Sequence, residues 1–242
     1  MGFYPNEIPG MLPVLFQGLR VTVTATIVVM AIALVLGLPI ALARMSRLWW
    51  LRIPATFYVQ VLRGTPVLLQ LFYLYYVLPF VGIKLPPWPA GVIGMSAAYS
   101  AYLSEIYRAG IEAVDRGQTE AALAIGMSRV QVMRLVILPQ AVRIIIPPMG
   151  NMFIGLFKDT SLLSILTIRE LMFEGQILAA TSFRHITIFT VIAVLYLAVC
   201  WPSAAIIDRL ERRLKSLPRD QAETANGRRW GLLGFAVPRA RA

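Results

Sequence analysis

The side chains of this sequence that could do chemistry are charged or hydroxyl groups set inside strongly apolar stretches. Glu105 could present its carboxylate to a central cavity and pair with an ammonium group, or it could be an ion-pair partner of Arg108. Arg63 could gate a passage or contact a carboxylate, or it could be a cation held at the interface by an acidic partner. Because such groups are costly to bury, these positions are the first candidates for a functional role.

A second set of polar residues coincides with a predicted break in a later apolar stretch. The polar sequence Lys-Asp-Thr-Ser occurs at residues 158–161, where an apolar stretch long enough to enter a membrane should not yet have left it. These residues could form a ligand or gate site, or they could cap the half-helix that follows. The candidates are Asp159, Thr160 and Ser161, with Asn151 on the wall of the same cavity.

Two aromatic residues complete the candidate cavity. Tyr102 and Glu105 fall on one face of a predicted helix because they are three residues apart. Tyr99 and Tyr102 could line the cavity, and simple packing is the alternative interpretation for both.

Nothing in this set predicts the making or breaking of covalent bonds. The sequence has one histidine and one cysteine, and its carboxylates are not clustered, so we expect no nucleophile–base pair, no metal site and no cofactor. A phosphate-binding P-loop requires a Gly-Lys pair, and the sequence contains none. The chain is therefore predicted not to be an enzyme and not to hydrolyse ATP by that route.

The elements that position these residues are predicted to be membrane-spanning helices. The 242-residue chain is 58% hydrophobic and only 14% charged, whereas a soluble domain carries about 25% charged residues. Residues 21–43 contain no charge and are long enough as a helix to cross a bilayer. Five spans are predicted, at about residues 18–44, 54–80, 89–115, 138–165 and 186–208.

The net charge of +11 follows the sidedness expected of a membrane protein. The first nineteen residues contain no Lys or Arg, whereas nine occur from Asp208 onward. The positive-inside rule therefore predicts that the N-terminus lies outside and the C-terminus lies in the cytoplasm. Five spans, an odd number, agree with termini on opposite sides of the membrane. No nucleic-acid partner is expected, because the basic charge tracks the membrane sides.

A short pair of helices is predicted between the third and fourth spans. Thr119 is a candidate N-cap, and Glu120 follows it where the helix dipole favours an anion. Gly126 suits the left-handed position that ends a helix. Ser128 and Gln131 fit a capping box that starts the next helix, so the two helices are expected to meet at an angle.

Three further irregularities are predicted along the helices. The sequence Arg-Gly-Thr-Pro at residues 63–66 should kink the second span. The pair Pro147 and Pro148 should interrupt the fourth span. A capping box from Thr167 to Glu170 should open an external helix.

Several of these segments occur together in the register of a known family. The chain resembles the membrane permease subunits of bacterial ATP-binding-cassette (ABC) importers, in the polar amino acid branch. The cytoplasmic signature of that family is one ordered motif. It begins with Glu-Ala-Ala, and Gly follows after three residues of any type. After nine more residues comes Ile, and after one further residue Leu-Pro. This chain is similar at residues 120–126 and 138–139, with Val136 in place of Ile. Further similar segments lie at residues 63–66, 101–111, 117–118 and 158–162.

The resemblance implies a fold and a point of contact. The fold would be an all-α membrane protein with five transmembrane helices and a cytoplasmic coupling helix, as in the transmembrane domain of a type I ABC importer. The coupling helix, at about residues 119–126, would dock into a groove on an ABC ATPase subunit. The residues implied in this contact are Glu120, Ala121, Ala122 and Gly126.

The resemblance also implies partners and a location. Two permeases, identical or different, would pair in the bacterial cytoplasmic (inner) membrane, and a periplasmic or extracellular solute-binding protein would deliver an amino acid. Residues 1–215 would form the permease domain, and residues 216–242 a mobile, polar cytoplasmic tail. The expected function is ATP-driven import of a polar amino acid by alternating access. The alternatives are a permease of the same type for another small solute and an ATP-independent membrane channel.

Overall fold

The computed structural model describes residues 4–215, and every regular element in that part of the chain is helical. The predicted tail, residues 216–242, lies outside the described residues. Helices satisfy their own backbone hydrogen bonds, as apolar surroundings require, and the predicted all-α class is confirmed. The helices are α1 (Ile8–Met45), α2 (Trp49–Gly64), α3 (Val67–Phe72), α4 (Pro87–Glu112), α5 (Arg116–Ala124), α6 (Arg129–Gln131), α7 (Leu138–Asp159), α8 (Leu171–Ser182) and α9 (His185–Lys215).

Tighter and wider turns extend several of these helices. A π-helical turn, Tyr73–Val77, and a 3-10 turn, Leu78–Val81, continue α3. A second π-helical turn, Val132–Ile137, joins α6 to α7, and a 3-10 segment, Thr160–Leu166, continues α7. The chain from α6 to Leu166 is therefore one long helical path.

Three helical segments of the described chain are long and apolar enough to cross a membrane: Pro5–Met45, Arg129–Leu166 and His185–Leu214. α2 and the segment Val67–Val81 meet this criterion only as a pair, and the two are bent by 103°. The kink predicted at residues 63–66 is therefore confirmed, and it is sharper than a proline kink alone. α4 contains 26 residues and is the predicted third span, although it falls outside that criterion.

α4 lies at the centre of the molecule, alongside α1. Gly37 of α1 comes so close to α4 that a Cβ atom there would lie 3.0 Å from Leu103 Cβ and 3.2 Å from the Ser100 carbonyl oxygen. Small residues permit this close packing of helices in membranes. The buried residues of the main core are Ala25, Val29, Met30, Ala33, Leu71, Ala90, Met95, Ala98, Tyr99, Leu103, Leu156, Leu163, Leu166 and Ile168.

The two prolines of α7 do not interrupt the helix. α7 continues through Pro147 and Pro148 to Asp159, so the interruption predicted there is wrong. Each proline removes one backbone N–H group, but the packing of α7 against α4 and α9 holds the helical path. The geometry changes later, at Thr160, where the helix tightens into the 3-10 segment.

α8 begins at a buried carboxylate, Glu170. The side chain accepts hydrogen bonds from the backbone N–H groups of Met172 (2.9 Å) and Phe173 (2.7 Å), which makes Glu170 the N-cap. The capping box predicted from Thr167 is wrong. Thr167 instead adopts a left-handed conformation, with φ of 60°, and ends the preceding 3-10 segment. The helix therefore starts three residues later than the sequence pattern indicates.

The same carboxylate joins α8 to α1 and α9. The hydroxyl groups of Thr22 and Tyr196 lie 3.3 Å from Glu170 Oε2, and the Leu171 N–H group donates to Thr22 Oγ1 at 3.1 Å. A Cβ atom at Gly18 would lie 2.9 Å from Leu171 Cα and 3.0 Å from the Glu170 carbonyl oxygen. We call this contact, formed by Gly18, Thr22, Glu170, Leu171 and Tyr196, the α1–α8 joint.

Substituting Gly18 by alanine should destabilise the protein. The new methyl group would press on backbone atoms, which cannot rotate away as a side chain can, so we expect a loss of about 1–3 kcal/mol. Gly10→Ala on the same helix is the matched control, because no atom lies within 4 Å of the added Cβ. The measurement is the thermal unfolding temperature in detergent. Equal temperatures for the two variants would contradict the close contact.

Glu170 should make stability depend on pH. The residue lies between the predicted spans 138–165 and 186–208, and burial raises its pKa from 4.5 to about 7, although its hydrogen bonds act against the rise. The folded state therefore holds the proton more tightly than the unfolded state, so stability should be greatest below pH 4.5 and should fall as the pH rises to about 7. In Glu170→Gln this part of the fall in unfolding temperature should disappear. A pH profile unchanged by Glu170→Gln would contradict the assignment.

Candidate functional site

α5 is capped by Asp115, which lies three residues after Glu112, the last residue of α4. The carboxylate of Asp115 accepts a hydrogen bond from the Gly117 N–H group at 2.6 Å, as an N-cap does. The predicted N-cap, Thr119, instead lies within the helix, and that prediction is wrong. Both residue types cap helices well, so local preference does not separate them. The position at which α4 stops decides between them.

α5 is closed by Gly126, which follows the C-cap Ile125 in the predicted left-handed position. Gly126 has φ of 85°, its N–H group donates to the Leu123 carbonyl at 3.0 Å, and the Met127 N–H group donates to the Ala122 carbonyl at 3.2 Å. These two bonds form a Schellman motif, which closes the helix and turns the chain. Beyond it the predicted capping box is present: Ser128 N–H donates to Gln131 Oε1 at 2.8 Å, and Gln131 N–H donates to Ser128 Oγ at 3.4 Å.

One side of α5 is held by the protein and the other is exposed. Ala122 is only 5% exposed and packs in a cluster with residues of α4 and α7. Glu120 and Ala121 are exposed, as are the apolar side chains of Leu123 (42%) and Ile125 (79%). The exposed side of α5 therefore carries apolar side chains beside the carboxylate of Glu120.

Three arginines surround the carboxylate of Glu105. Arg44 Nη1 of α1 lies 2.5 Å from Glu105 Oε2, and Arg63 Nη1 of α2 lies 3.5 Å from the same oxygen. Arg108, one turn further along α4, donates to Oε1 and also pairs with Glu112 at 2.5 Å. Each arginine comes from the end of a helix or from α4 itself, so one acidic group joins three helices.

A line of polar contacts runs along α4 from Glu105 toward α7. The guanidinium of Arg63 lies over the Tyr102 ring, 5.7 Å from its centroid, and the Tyr102 and Tyr99 ring centroids are 6.2 Å apart. The Tyr99 hydroxyl donates to Asp159 Oδ2 at 2.7 Å. We call these five residues the polar stripe. Its two ends carry charges of opposite sign: the half-exposed guanidinium of Arg63 beside Glu105, and the carboxylate of Asp159.

The remaining predicted residues differ in how they are placed. Thr160 is fully buried, and its hydroxyl donates to the Phe157 carbonyl at 2.7 Å, so this group is used within the helix end. Ser161 is partly exposed beside the polar stripe's Asp159, and Asn151 is exposed on α7. The structure therefore brings Arg63, Tyr99, Tyr102, Glu105 and Asp159 together, and leaves Thr160 and Asn151 outside this chain of contacts.

Sequence reasoning missed Arg44 and Ile125. Arg44 follows the apolar run 21–43 directly, which is where a cation at a membrane interface is expected, and this was the available signal. Ile125, which is 79% exposed, directly precedes Gly126, and a single apolar residue gives no signal in the sequence by itself.

Comparison with known proteins finds relatives along most of the chain. The probable amino-acid ABC transporter permease protein YckA of Bacillus subtilis (strain 168) is 39% identical over 201 residues, covering 83% of this chain and 89% of that protein. The glutamine transport system permease protein GlnP of Escherichia coli (strain K12) is 36% identical over 208 residues, covering 85% and 95% of the two chains.

A solved structure has the same fold. A chain from the crystal structure of an amino acid ABC transporter with histidines is 35% identical to this one and superimposes with a TM-score of 0.85. The superposition covers 88% of this chain and 100% of that chain. The predicted fold, the transmembrane domain of a type I ABC importer, is therefore confirmed.

The matching family spans most of the site. Residues 33–216 match the family described as binding-protein-dependent transport system inner membrane component. This range includes the polar stripe, α5 and the capping box that follows it. The match also extends over three quarters of the chain. The protein therefore belongs to the family of inner membrane components of binding-protein-dependent transport systems.

Proposed function

We propose that the chain is the transmembrane subunit of an ATP-driven importer that moves a polar amino acid by alternating access. The observation that carries this proposal is the likeness, over 83% and 85% of this chain, to permeases named for amino acids, one of them for glutamine. Family membership supports a multi-pass inner-membrane protein that transports rather than catalyses. Alternating access needs two global states whose balance a partner can shift.

α5 is the proposed point of contact with the ABC ATPase subunit. Glu120 and Ala121 face outward beside the exposed apolar groups of Leu123 and Ile125, which would enter a groove of the ATPase. The buried side of α5, at Ala122, transmits the movement because it packs on α4 and α7. The Schellman motif and the capping box make the turn rigid enough to act as a lever.

The polar stripe is the proposed path of the amino acid. Glu105 is already paired with Arg44 and Arg108, so we assign it the role of holding Arg63 in place. Arg63, whose side chain is 42% exposed, would bind the α-carboxylate of the solute through charge-assisted hydrogen bonds. Asp159, at the other end of the polar stripe, would bind the ammonium group. Because the rings of Tyr102 and Tyr99 lie between these two charges, the solute would meet them in turn along the path.

The remaining partners and the topology follow from the same proposal. The N-terminus would lie outside and the C-terminus in the cytoplasm, which places α5 on the side of the ATPase. A solute-binding protein would deliver the amino acid from the opposite side, and a second permease would complete the passage. ATP hydrolysis would take place in the ATPase subunit. Ser161 and Asn151 are further candidates for contact with the solute near Asp159.

Replacing Gly126 by valine should weaken docking of the ATPase subunit and so reduce transport. Gly126 has φ of 85°, where a side chain costs about 1–2 kcal/mol and a β-branched one costs most. No atom lies within 4 Å of the added Cβ, so the expected effect is on the backbone turn alone. The measurement is co-purification with the ATPase subunit together with solute uptake in vesicles, and both should fall.

Gly126→Asn is the matched control, because asparagine tolerates the left-handed conformation. We expect it to retain most of the binding and uptake. The proposal would be contradicted if Gly126→Val transported as well as the wild type, or if both variants lost ATPase binding equally while remaining inserted.

Replacing Arg63 by glutamine should reduce amino acid uptake. A hydrogen bond to a charged group contributes about 1.5–3 kcal/mol, which corresponds to a loss of roughly 10- to 100-fold. Uptake is measured in vesicles that contain the permease, its ATPase and saturating binding protein, so that delivery does not limit the rate. Arg63→Lys keeps the charge without the planar fork and should recover part of the activity.

Arg143→Gln on α7 removes the same charge from an exposed position that lies outside the polar stripe. It should leave uptake near the wild-type level. Equal uptake by Arg63→Gln and Arg143→Gln would exclude a solute contact at Arg63, provided that both variants still bind the ATPase.

A further inference from the structure

α2 has the residue pattern of a helix that lies along a membrane surface. The helix has 16 residues and is therefore about 24 Å long. Its exposed side chains are large and apolar at Trp49, Trp50, Ile53, Phe57 and Val61. Its inner face contacts α4, where the Tyr58 hydroxyl lies 2.8 Å from Ser100 Oγ. An apolar outer face with tryptophan at one end is typical of interfacial helices.

Both ends of α2 lie at the depth at which α1 ends. The first residue of α2 follows Met45, the last residue of α1, after a turn of only three residues, 46–48. At the other end of α2, Arg63 approaches the same Glu105 oxygen as Arg44 from the last turn of α1. A helix whose two ends share one depth lies across the membrane normal. The 103° bend to the next segment agrees with this orientation.

Two arginines flank the tryptophan pair and form no ion pair with any residue of the described chain. Arg47 and Arg52 are both exposed, so their charges are free to meet a partner outside the protein. Arg52 also borders a surface groove of about 330 Å³. The other residues that line this groove are Ile53, Thr56, Phe57 and Gln60.

We propose that α2 is an interfacial helix that binds anionic phospholipids. The guanidinium groups of Arg47 and Arg52 contact the headgroup phosphates, and Trp49 and Trp50 enter the first part of the acyl region. The positive charges favour an anionic lipid over a zwitterionic one. The apolar face favours a partner with acyl chains over an anion dissolved in water. The second predicted membrane crossing is then confined to the segment that begins at Val67.

The test measures quenching of tryptophan fluorescence by brominated lipids. The full-length chain is reconstituted in phosphatidylcholine vesicles that contain an equal share of either brominated phosphatidylglycerol or brominated phosphatidylcholine. The signal of the tryptophan pair is obtained by subtracting the variant Trp49→Phe/Trp50→Phe. Brominated phosphatidylglycerol should quench this signal more strongly. Both leaflets have the same composition, so the result is independent of the proposed topology.

The single variants Arg47→Gln and Arg52→Gln should each reduce the preference for the anionic lipid roughly five-fold. This is the effect expected of one basic residue near an anionic surface. Arg209→Gln/Arg212→Gln on α9 is the matched control, since it removes two exposed charges away from the tryptophan pair and should retain the preference. Equal quenching by the two brominated lipids would overturn the proposal. Absence of quenching by either lipid would also overturn it, and would indicate that protein, such as a second permease, covers this face.

Discussion

The carboxylate of Glu105 is a charge that the surrounding helices must neutralise, and much of the architecture follows from how they do so. Arg44, Arg63 and Arg108 reach it from α1, α2 and α4. A charge removed from water is costly unless it is paired, and removing one partner of a buried pair costs about 3–5 kcal/mol. The cluster is partly exposed, so its individual pairs are worth less than that. Its larger effect is geometric, because the ends of α1 and α2 are held at one position along α4.

α1 connects this charge cluster with a second fixed point in its N-terminal half. At the α1–α8 joint, Gly18 touches the backbone of α8 and Thr22 lies against the buried Glu170. The two contacts differ in kind: the joint depends on close packing and hydrogen bonds, and the cluster depends on charge. Between them lies the core of α4, with α5 packed on its end through Ala122. A displacement of α5 is therefore passed to a framework that is held at two points along α1.

The sequence predicted the features that depend on a few consecutive residues. Gly126 and the capping box of Ser128 and Gln131 are of this kind, because their geometry is decided by neighbours in the chain. Apolar runs likewise predicted the helical class, and the Arg-Gly-Thr-Pro sequence predicted the kink at residues 63–66. The N-cap was misplaced because the end of α4 depends on tertiary packing. The pairing of Arg44 with Glu105 was missed because these residues are 61 positions apart. Pro147 and Pro148 were misjudged because packing outweighs local propensity.

The π-helical turn Val132–Ile137 has a consequence for the inner face of α7. The buried residues along this path are Val132, Ile137, Ala141 and Ile145, with spacings of five, four and four. In a regular α-helix, residues five apart point about 140° away from each other. The wider turn takes up one surplus residue, so that Val132 keeps the same seam as the residues after it. The extra residue thus restores the helical register. The result is a continuous apolar seam that joins the turn after α5 to the transport helices. A search for apolar residues at a constant helical spacing would not detect this seam.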